Sequence, residues 1–314
     1  MRHYSPRTAE AYLTWIRRFI LFHNRQHPAQ LGAPEVSRFL SSLAVKGRVS
    51  ASTQNQALAA ILFLYSKVLG LDIGSIENFV RAKKPLRLPV VMTRDEVSLV
   101  LSKLKGLPLL MASLLYGSGL RLSECLCLRI KDLDFANNQI DVRDGKGCKD
   151  RATLLPRSLE PSLKAHLLRV RKLHETDRAQ GAGFVELPGA LDRKYPNAPT
   201  EWRWQWVFPA TRLYVHESSG QRRRHHLHET ALQRVVHNAS SASGVTKPIS
   251  CHTFRHSFEA GYDIRTIQKL LGHRDVRTTM IYTHVLNRGA LGVISPLDAG
   301  AARSTVDDGR QEDS

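Results

Sequence analysis

Residues 251–285 read CHTFRHSFEAGYDIRTIQKLLGHRDVRTTMIYTHV, and this stretch says most about the fold and chemistry of the chain. It places His252 and Arg255 one helical turn apart, then His273, with Tyr282 nine positions beyond. A tyrosine phenol has a pKa of about 10, so it becomes an effective nucleophile only where cations stabilise the charge developing on its target. Arginine does this well because its guanidinium stays protonated and binds two phosphate oxygens at once. The stretch therefore predicts phosphoryl transfer without a metal ion.

Two further basic residues lie in segments suited to the same chemistry. Arg121 lies in LLYGSGLRLSE, residues 114–124, at a predicted helix start, where backbone N–H groups and the positive end of the helix dipole favour phosphate. Lys146 lies in a glycine-rich turn between strand candidates at 139–143 and 152–155, which predicts a β-hairpin. A lysine at a hairpin tip can reach a leaving oxygen and donate a proton to it.

These segments resemble the motifs of the tyrosine recombinase, or phage integrase, family. The resemblance covers most of the chain and rests on GSGLRLSE, GKGCKDR, CHTFRHSF, LLGH and TTMIYTHV, in that order. It implies that Tyr282 attacks a DNA phosphodiester, which leaves a 3′-phosphotyrosyl bond and a free 5′-hydroxyl. A second hydroxyl then reseals the strand, so the resemblance implies no cofactor. The remaining catalytic residues that it implies are the phosphate ligands Arg121, Arg255, His252 and His273, and the acid Lys146.

The periodicity of the apolar residues predicts where the helices lie. Stripes of apolar residues predict helices at 6–23, 34–45 and 52–69, and the pair Thr93 and Glu96 predicts a capped helix start. Together with the resemblance, this predicts a mainly α fold with a small β component. We expect an all-helical N-terminal DNA-binding domain followed by an α+β catalytic domain. The predicted bounds are 1–80 for a SAM-like core-binding domain, 81–89 for a basic linker, 90–303 for the catalytic domain, and 304–314 for a disordered tail.

The predicted linker, RAKKPLRLP at residues 81–89, combines two prolines with basic side chains. Prolines interrupt helical periodicity, and few contacts cross such a segment between domains. The resemblance implies that the two domains close around DNA as a clamp, and we expect Lys83 and Lys84 to contact it. A solvated run of charge is the alternative.

Residues 191–230 contain a second concentration of nucleic-acid chemistry. Trp202, Trp204 and Trp206 fall within five residues, and RRRHHLH follows at 222–228. Stacking of a base on an aromatic ring contributes roughly 1–3 kcal/mol. The segment resembles the extra element of integron integrases, which recombine folded single-stranded cassette ends with a double-stranded site. By this resemblance the residues that hold extrahelical bases are Trp204, His225 and His226, and those that clamp phosphate are Arg222, Arg223 and Arg224.

Two other readings of the same segment stay open. Alternate tryptophans can line one face of a strand and cover a core. The histidines could also bind a metal, but they lack the cysteine pairs and the helical spacing of zinc sites, so we predict no metal.

Composition agrees with a nucleic-acid partner. The net charge is +18 over 314 residues, which suits a protein that neutralises many phosphates and whose binding weakens with salt. The sequence has no apolar run of about 18 residues and no leading signal segment, so we expect no membrane partner. We also expect no small-molecule substrate. Cysteines at 125, 127, 148 and 251 show no disulfide spacing, which predicts a reducing compartment. Together with the resemblance, this leads us to expect a bacterial, DNA-associated protein of the cytoplasm.

Two features depart from the family pattern. The chain begins almost directly in its first predicted helix, which predicts a shorter N-terminal part than in relatives with an additional leading helix. After Phe258 about five residues are missing, which in a helix corresponds to about 7.5 Å and a rotation of about 140°. Arg255 and His273 are consequently 18 positions apart. Since a displacement of about 1 Å can cost roughly a hundredfold in rate, we expect reduced or lost activity.

Three hypotheses follow. The first is a site-specific recombinase of the integron type, which integrates and excises gene cassettes and assembles as a tetramer on DNA. The second is a catalytically impaired DNA-binding protein that recognises recombination sites. The third is a relaxing enzyme similar to type IB topoisomerases.

Overall fold

The computed structural model describes residues 6–76, 79–83, 89–145, 149–189 and 191–259. The chain divides into two compact units, Met1–Arg87 and Leu88–Ser314, and the division falls within the segment predicted as the linker. Each unit has a hydrophobic core of its own. Helices dominate both units and the strands form small antiparallel sheets, so the predicted fold class is confirmed.

In the described part of the N-terminal unit, three α-helices lie close to the predicted bounds. Their buried faces meet around Phe19, Phe39 and Ile61, which have almost no exposed surface. Tyr65 is buried with them, and its hydroxyl donates to the carbonyls of Pro28 and Leu31 at 2.8 and 2.9 Å. The helices are α1 (Pro6–Phe22), α2 (Ala33–Val45) and α3 (Ala51–Phe63), and α3 continues into a π-helical turn, Leu64–Leu69.

The second unit opens with the predicted capped helix. Thr93 Oγ1 accepts from the Glu96 amide at 3.2 Å, while Glu96 Oε2 accepts from the Thr93 amide at 2.7 Å. These reciprocal bonds satisfy two amides that a helix start leaves without partners. The helices that follow are α4 (Arg94–Ser102), α5 (Gly106–Ser118) and α6 (Leu122–Leu126). Residues of α5 from Leu110 onward are buried, which makes α5 the central helix of this core.

The predicted hairpin is present. Strands β2 (Gln139–Gly145) and β3 (Lys149–Leu154) pair antiparallel, and the short β1 (Leu133–Asp134) adds to β2. Ile140 lies opposite Thr153 in this register, and both are buried. The Thr153 hydroxyl donates to the Ser118 carbonyl at 2.7 Å, which ties β3 to the end of α5.

Six further α-helices and β-strands are described after the hairpin. They are α7 (Glu160–Ala179), α8 (Leu191–Lys194), β4 (Pro209–Val215), β5 (Arg222–His226), α9 (Glu229–Ala242) and α10 (Cys251–Glu259). Helix α10 packs on α5 and α9, and Phe254 and Phe258 are its fully buried anchors. Among the described helices, none is both long and apolar enough to cross a bilayer.

Three histidines in this unit make its free energy of unfolding depend on pH. Burial lowers the pKa of His166, His174 and His226 below the ordinary value. The unfolded chain therefore binds protons at a higher pH than the folded chain, so the free energy of unfolding falls as pH drops through about 6.5. We expect urea titrations to give a lower free energy of unfolding at pH 5.5 than at pH 7.5. The slope should be at most roughly 1.4 kcal/mol per pH unit for each histidine.

The variant His166→Gln tests the cause of this pH dependence. His166 Nε2 lies 2.8 Å from the Val207 carbonyl, and a glutamine amide can donate there without titrating. We expect the variant to show a shallower loss of stability in acid. A parent whose stability is unchanged between pH 7.5 and 5.5 would contradict the account.

Candidate active site and nucleic-acid interface

The junction between α5 and α6 holds Arg121 at a helix start, as the sequence predicted. Gly119 ends α5 at φ 62°, a left-handed conformation that favours glycine. Arg121 is the N-cap of α6, and its amide donates to Glu124 Oε2 at 2.7 Å. Its guanidinium donates to Glu124 Oε1 at 2.6 Å and is 23% exposed. The side chain is therefore held by a carboxylate and still reaches solvent.

Helix α10 brings Arg255 to the same junction. Its side chain is 4% exposed, Nη1 donates to the Gly119 carbonyl, and the same nitrogen lies 3.8 Å from Glu124 Oε2. The structure thus gathers Arg121 and Arg255 around one carboxylate, although they are far apart in sequence. His252 lies one turn earlier on α10 and is exposed, with its ring 6.3 Å from that of His256.

Glu124 and Arg151 complete the cluster and were not predicted from the sequence. Arg151 on β3 donates to Glu124 through two nitrogens, at 2.8 and 2.6 Å, and these side chains are 7% and 8% exposed. Burial alone would raise the pKa of Glu124, but the bonds and charge of Arg151, with the Arg121 amide and charge, lower the pKa to about 2. One ionised carboxylate thus faces three guanidiniums, and the excess positive charge suits a phosphate.

The tryptophans of the 191–230 segment do not line one face of a strand, which is the alternative interpretation of their spacing. Trp202–Trp204 form a 3₁₀ turn, and Trp206 pairs with Arg129 in an isolated bridge. Trp206 is buried with Val185 in a small separate core, and its indole N–H donates to the Arg224 carbonyl at 3.1 Å. Trp204 is half-buried beside this core.

Cations lie against these indole rings. Lys131 Nζ is 4.1 Å from the Trp204 ring centre, and the Arg129 guanidinium carbon is 3.9 Å from that of Trp206. Arg129 also donates to the carbonyl of Trp204 at 2.6 Å, which fixes the turn. Burial lowers the pKa of Lys131 and lowers that of Arg129 to about 10. The His226 ring is 5.2 Å from Trp206, and the exposed His225 is 4.0 Å from His226. We call this set the basic–aromatic strip: Lys131, Trp204, Arg129, Trp206, His226 and His225.

Comparison with known protein families decides the assignment. The model of the phage integrase family matches residues 91–288, and that of the phage integrase N-terminal SAM-like domain matches residues 1–75. The chain belongs to the phage integrase family, the tyrosine recombinases. Relatives that match over most of their length agree with this. An integrase/recombinase of Escherichia coli is 53% identical over 302 residues, covering 95% of this recombinase and 90% of the relative.

More distant proteins share the sequence or the fold. The tyrosine recombinase XerA of Thermococcus onnurineus is 32% identical over 289 residues, covering 90% of this chain and 86% of the relative. The Tn1549 transposon integrase, solved with transposon right-end DNA, superposes with a TM-score of 0.60 at 16% identity, covering 96% of this chain and 94% of that chain. XerH, a site-specific recombinase solved in a post-cleavage complex, superposes with a TM-score of 0.58 at 18% identity, covering 94% of this chain and 79% of that chain. At such identities the likeness concerns the fold.

The three arginines predicted to clamp phosphate occupy different environments in the recombinase. Arg222 is exposed and donates to the Gln180 carbonyl at 3.0 Å. Arg223 is buried and binds the Gln221 side chain. Arg224 is buried and forms two bonds to Asp177, at 2.6 and 2.7 Å, which join β5 to α7. Arg223 and Arg224 thus direct donors to side chains within the protein, whereas Arg222 is exposed to solvent.

Several predicted residues lie outside the part of the recombinase that the structure describes. They are Lys84, Lys146, His273, Tyr282 and the tail at 304–314. Lys83 is described and exposed. Among the predicted catalytic residues, the structure therefore places Arg121, His252 and Arg255.

Proposed function

We propose that this recombinase cuts and rejoins DNA at specific sites through a covalent bond between Tyr282 and a 3′-phosphate. The observation that carries the proposal is the meeting of Arg121 and Arg255 at the ionised Glu124. Two guanidiniums fixed beside one another can bind both non-bridging oxygens of a phosphodiester and stabilise the charge of the transition state.

In the proposed reaction, the Tyr282 hydroxyl oxygen forms a bond to phosphorus as the bond from phosphorus to the 5′-oxygen breaks. Lys146 gives a proton to the leaving 5′-oxygen, and the phenol proton passes to a nearby base. Rejoining reverses these events, with a 5′-hydroxyl of the partner strand as nucleophile. One phosphoester bond replaces another at each step, so the exchange needs no external energy source.

DNA is the proposed partner, and three observations support it. The net charge of +18 suits phosphate binding, and the cationic cluster at Glu124 provides a local site. Proteins of the same fold have been solved with DNA, among them a lambda integrase tetramer bound to a Holliday junction, with a TM-score of 0.56 at 15% identity. By this likeness we propose a tetramer of the recombinase on DNA, with Lys83 and Arg222 as further phosphate contacts.

We further propose the integron subtype, in which the basic–aromatic strip holds bases extruded from a folded single strand. Trp204 is half-buried, and its ring lies beside the turn that Arg129 fixes. The adjacent Lys131 provides charge for the flanking phosphate, and His225 presents an exposed ring. A half-buried ring beside a cation matches the stacking and charge of a splayed nucleotide. Integration and excision of gene cassettes follow from this subtype.

The variant Trp204→Ala tests the subtype. We expect a loss of roughly tenfold to a hundredfold in affinity for a hairpin with an extrahelical base, because stacking contributes roughly 1–3 kcal/mol per base. Affinity for a perfect duplex should change little. Fluorescence anisotropy measures both, and Trp202→Ala is the matched control because Trp202 instead faces Arg171 and His174. Equal losses on hairpin and duplex would argue against base recognition by Trp204.

The short spacing of 18 positions from Arg255 to His273 favours a second candidate, a DNA-binding protein with impaired chemistry. A nicked suicide substrate separates the two candidates, since cleavage releases a short fragment and leaves the protein covalently bound. A trapped complex together with exchange between a cassette-end plasmid and a duplex-site plasmid supports the recombinase. Specific binding without trapping supports the impaired protein, and relaxation of supercoils without exchange points to topoisomerase-like activity.

A further inference from the structure

The buried carboxylate of Glu124 joins three separate elements. It lies on α6, accepts from Arg121 at the start of that helix, faces Arg255 on α10, and binds Arg151 on β3. Arg151 makes the tightest of these contacts, since two of its nitrogens each donate to a different Glu124 oxygen. A bidentate pair of this kind fixes the plane of the carboxylate as well as its position.

Arg151 and Arg121 use the shared carboxylate differently. Arg121 donates to Glu124 through one guanidinium nitrogen and is 23% exposed, so its other nitrogens can bind a phosphate. Arg151 is 7% exposed and turns two nitrogens toward Glu124. Arg121 is therefore suited to contact DNA. Arg151 is instead suited to orient the Glu124 carboxylate, which in turn binds Arg121.

We propose that Arg151 is a positioning residue of the phosphate site, which orients the Glu124 carboxylate so that Arg121 is aimed at the scissile phosphate. The inference rests on the proposed function in one respect, that Arg121 binds that phosphate. Without Arg151, the plane of the carboxylate is no longer fixed, and the carboxylate turns toward Arg255 and Arg121. Their guanidiniums are then drawn to Glu124 rather than to DNA.

The planar fork of arginine matters here as well as its charge. Lysine at position 151 would keep the positive charge but offer a single point of contact, so it would not fix the carboxylate plane. We therefore expect phosphate binding to decline from the parent to Arg151→Lys and further to Arg151→Met. The Thr153–Ser118 bond anchors β3 independently, so the strand keeps an attachment to α5 in these variants.

A binding experiment with neutral phosphates separates this role from simple stabilisation. The chain is prepared as Tyr282→Phe, so that no cleavage occurs, and a duplex site is synthesised with a methylphosphonate at each successive position. The position with the largest loss of affinity marks the phosphate bound by the arginines. We expect about a tenfold loss there in the parent, because a charge-assisted hydrogen bond contributes roughly this factor or more.

The affinity for the unmodified duplex is then divided by the affinity for the duplex with a methylphosphonate at that position, and this ratio is measured in each variant. Melting curves check that the variants fold. We expect the ratio to fall close to one in Arg151→Met and to an intermediate value in Arg151→Lys. Arg143→Met is the matched control, because Arg143 lies on the same hairpin and is ion-paired to Asp132 at 2.9 Å. It should keep the ratio of the parent. A structural role alone would lower the affinity for both DNAs together and leave the ratio unchanged.

Each outcome decides the inference. A folded Arg151→Met that keeps the tenfold ratio overturns it, and so does a parent that shows no preference for the charged phosphate at any position. If Arg151→Met does not fold, a folded Arg151→Lys with the parent's ratio overturns it equally. Failure of the proposed function appears separately, as the absence of a covalent complex in the chain that retains Tyr282. That result leaves the affinity ratio as a valid test of Arg151.

Discussion

Replacement of Tyr282 by phenylalanine is expected to abolish covalent attachment to DNA, with a loss of at least about a thousandfold in cleavage rate. The substitution removes one oxygen, which is the atom that forms the bond to phosphorus. The affinity for DNA should stay within about twofold of the parent, because binding of the backbone depends on basic side chains. Gel separation of the covalent complex on a suicide substrate measures the first quantity, and fluorescence anisotropy measures the second.

The matched control for this experiment is Tyr195→Phe, at a tyrosine that is 48% exposed. It removes the same atom from a side chain that has no proposed part in the chemistry, so its cleavage rate should equal that of the parent. Cleavage by Tyr282→Phe at the parental rate would show that another residue is the nucleophile.

Replacement of Glu124 by alanine is expected to weaken both the fold and the catalytic site. The substitution leaves Arg151 and Arg255 buried without their shared counter-charge, and breaking a buried ion pair in this way costs about 3–5 kcal/mol. Cleavage should fall by roughly a hundredfold or more, since Arg121 loses the contact that positions it. Urea denaturation followed by tryptophan fluorescence measures stability, and the suicide substrate measures cleavage under conditions where the variant is folded.

The control for the stability measurement is Glu175→Ala. Glu175 also pairs with an arginine, Arg171 at 3.2 Å, but both side chains are more than half exposed. Exposed pairs of this kind contribute about 0–1 kcal/mol, so the control should unfold close to the parent. A Glu124→Ala protein as stable as this control would contradict the assignment of Glu124 as the centre of the cluster.

Local features of the structure were predictable because neighbouring residues determine them. The capping pair Thr93 and Glu96 and the antiparallel pairing of β2 with β3 follow from short-range patterns, and both are present. The apolar stripes likewise predicted the helices of the N-terminal unit.

The central contacts of the site were not predictable in this way. From the sequence, Glu124 is the third residue of a helix start, and nothing marks it as the partner of Arg151 or of Arg255 on α10. These contacts form only when three separate elements pack together. The spacing of Arg121 and Glu124, typical of a capping box, was the one local signal.

The tryptophan segment shows the same limit. Alternation of tryptophans is compatible with a strand, but Trp202–Trp204 form a 3₁₀ turn, closed by a bond from the Trp204 amide to the Glu201 carbonyl at 3.1 Å. Arg129, distant in sequence, fixes this turn by donating to the Trp204 carbonyl. A distant arginine that binds a carbonyl leaves no periodic signal. The conformation of the turn therefore could not be read from residues 202–206 alone.

Mass spectrometry of the protein after reaction with a nicked suicide substrate tests the central claim most directly. The account predicts a peptide containing Tyr282 that carries the nucleotide of the cleaved strand through its 3′-phosphate, absent from Tyr282→Phe. A nucleotide attached to any other residue, or specific DNA binding with no adduct at all, would contradict the claim that Tyr282 breaks and rejoins DNA.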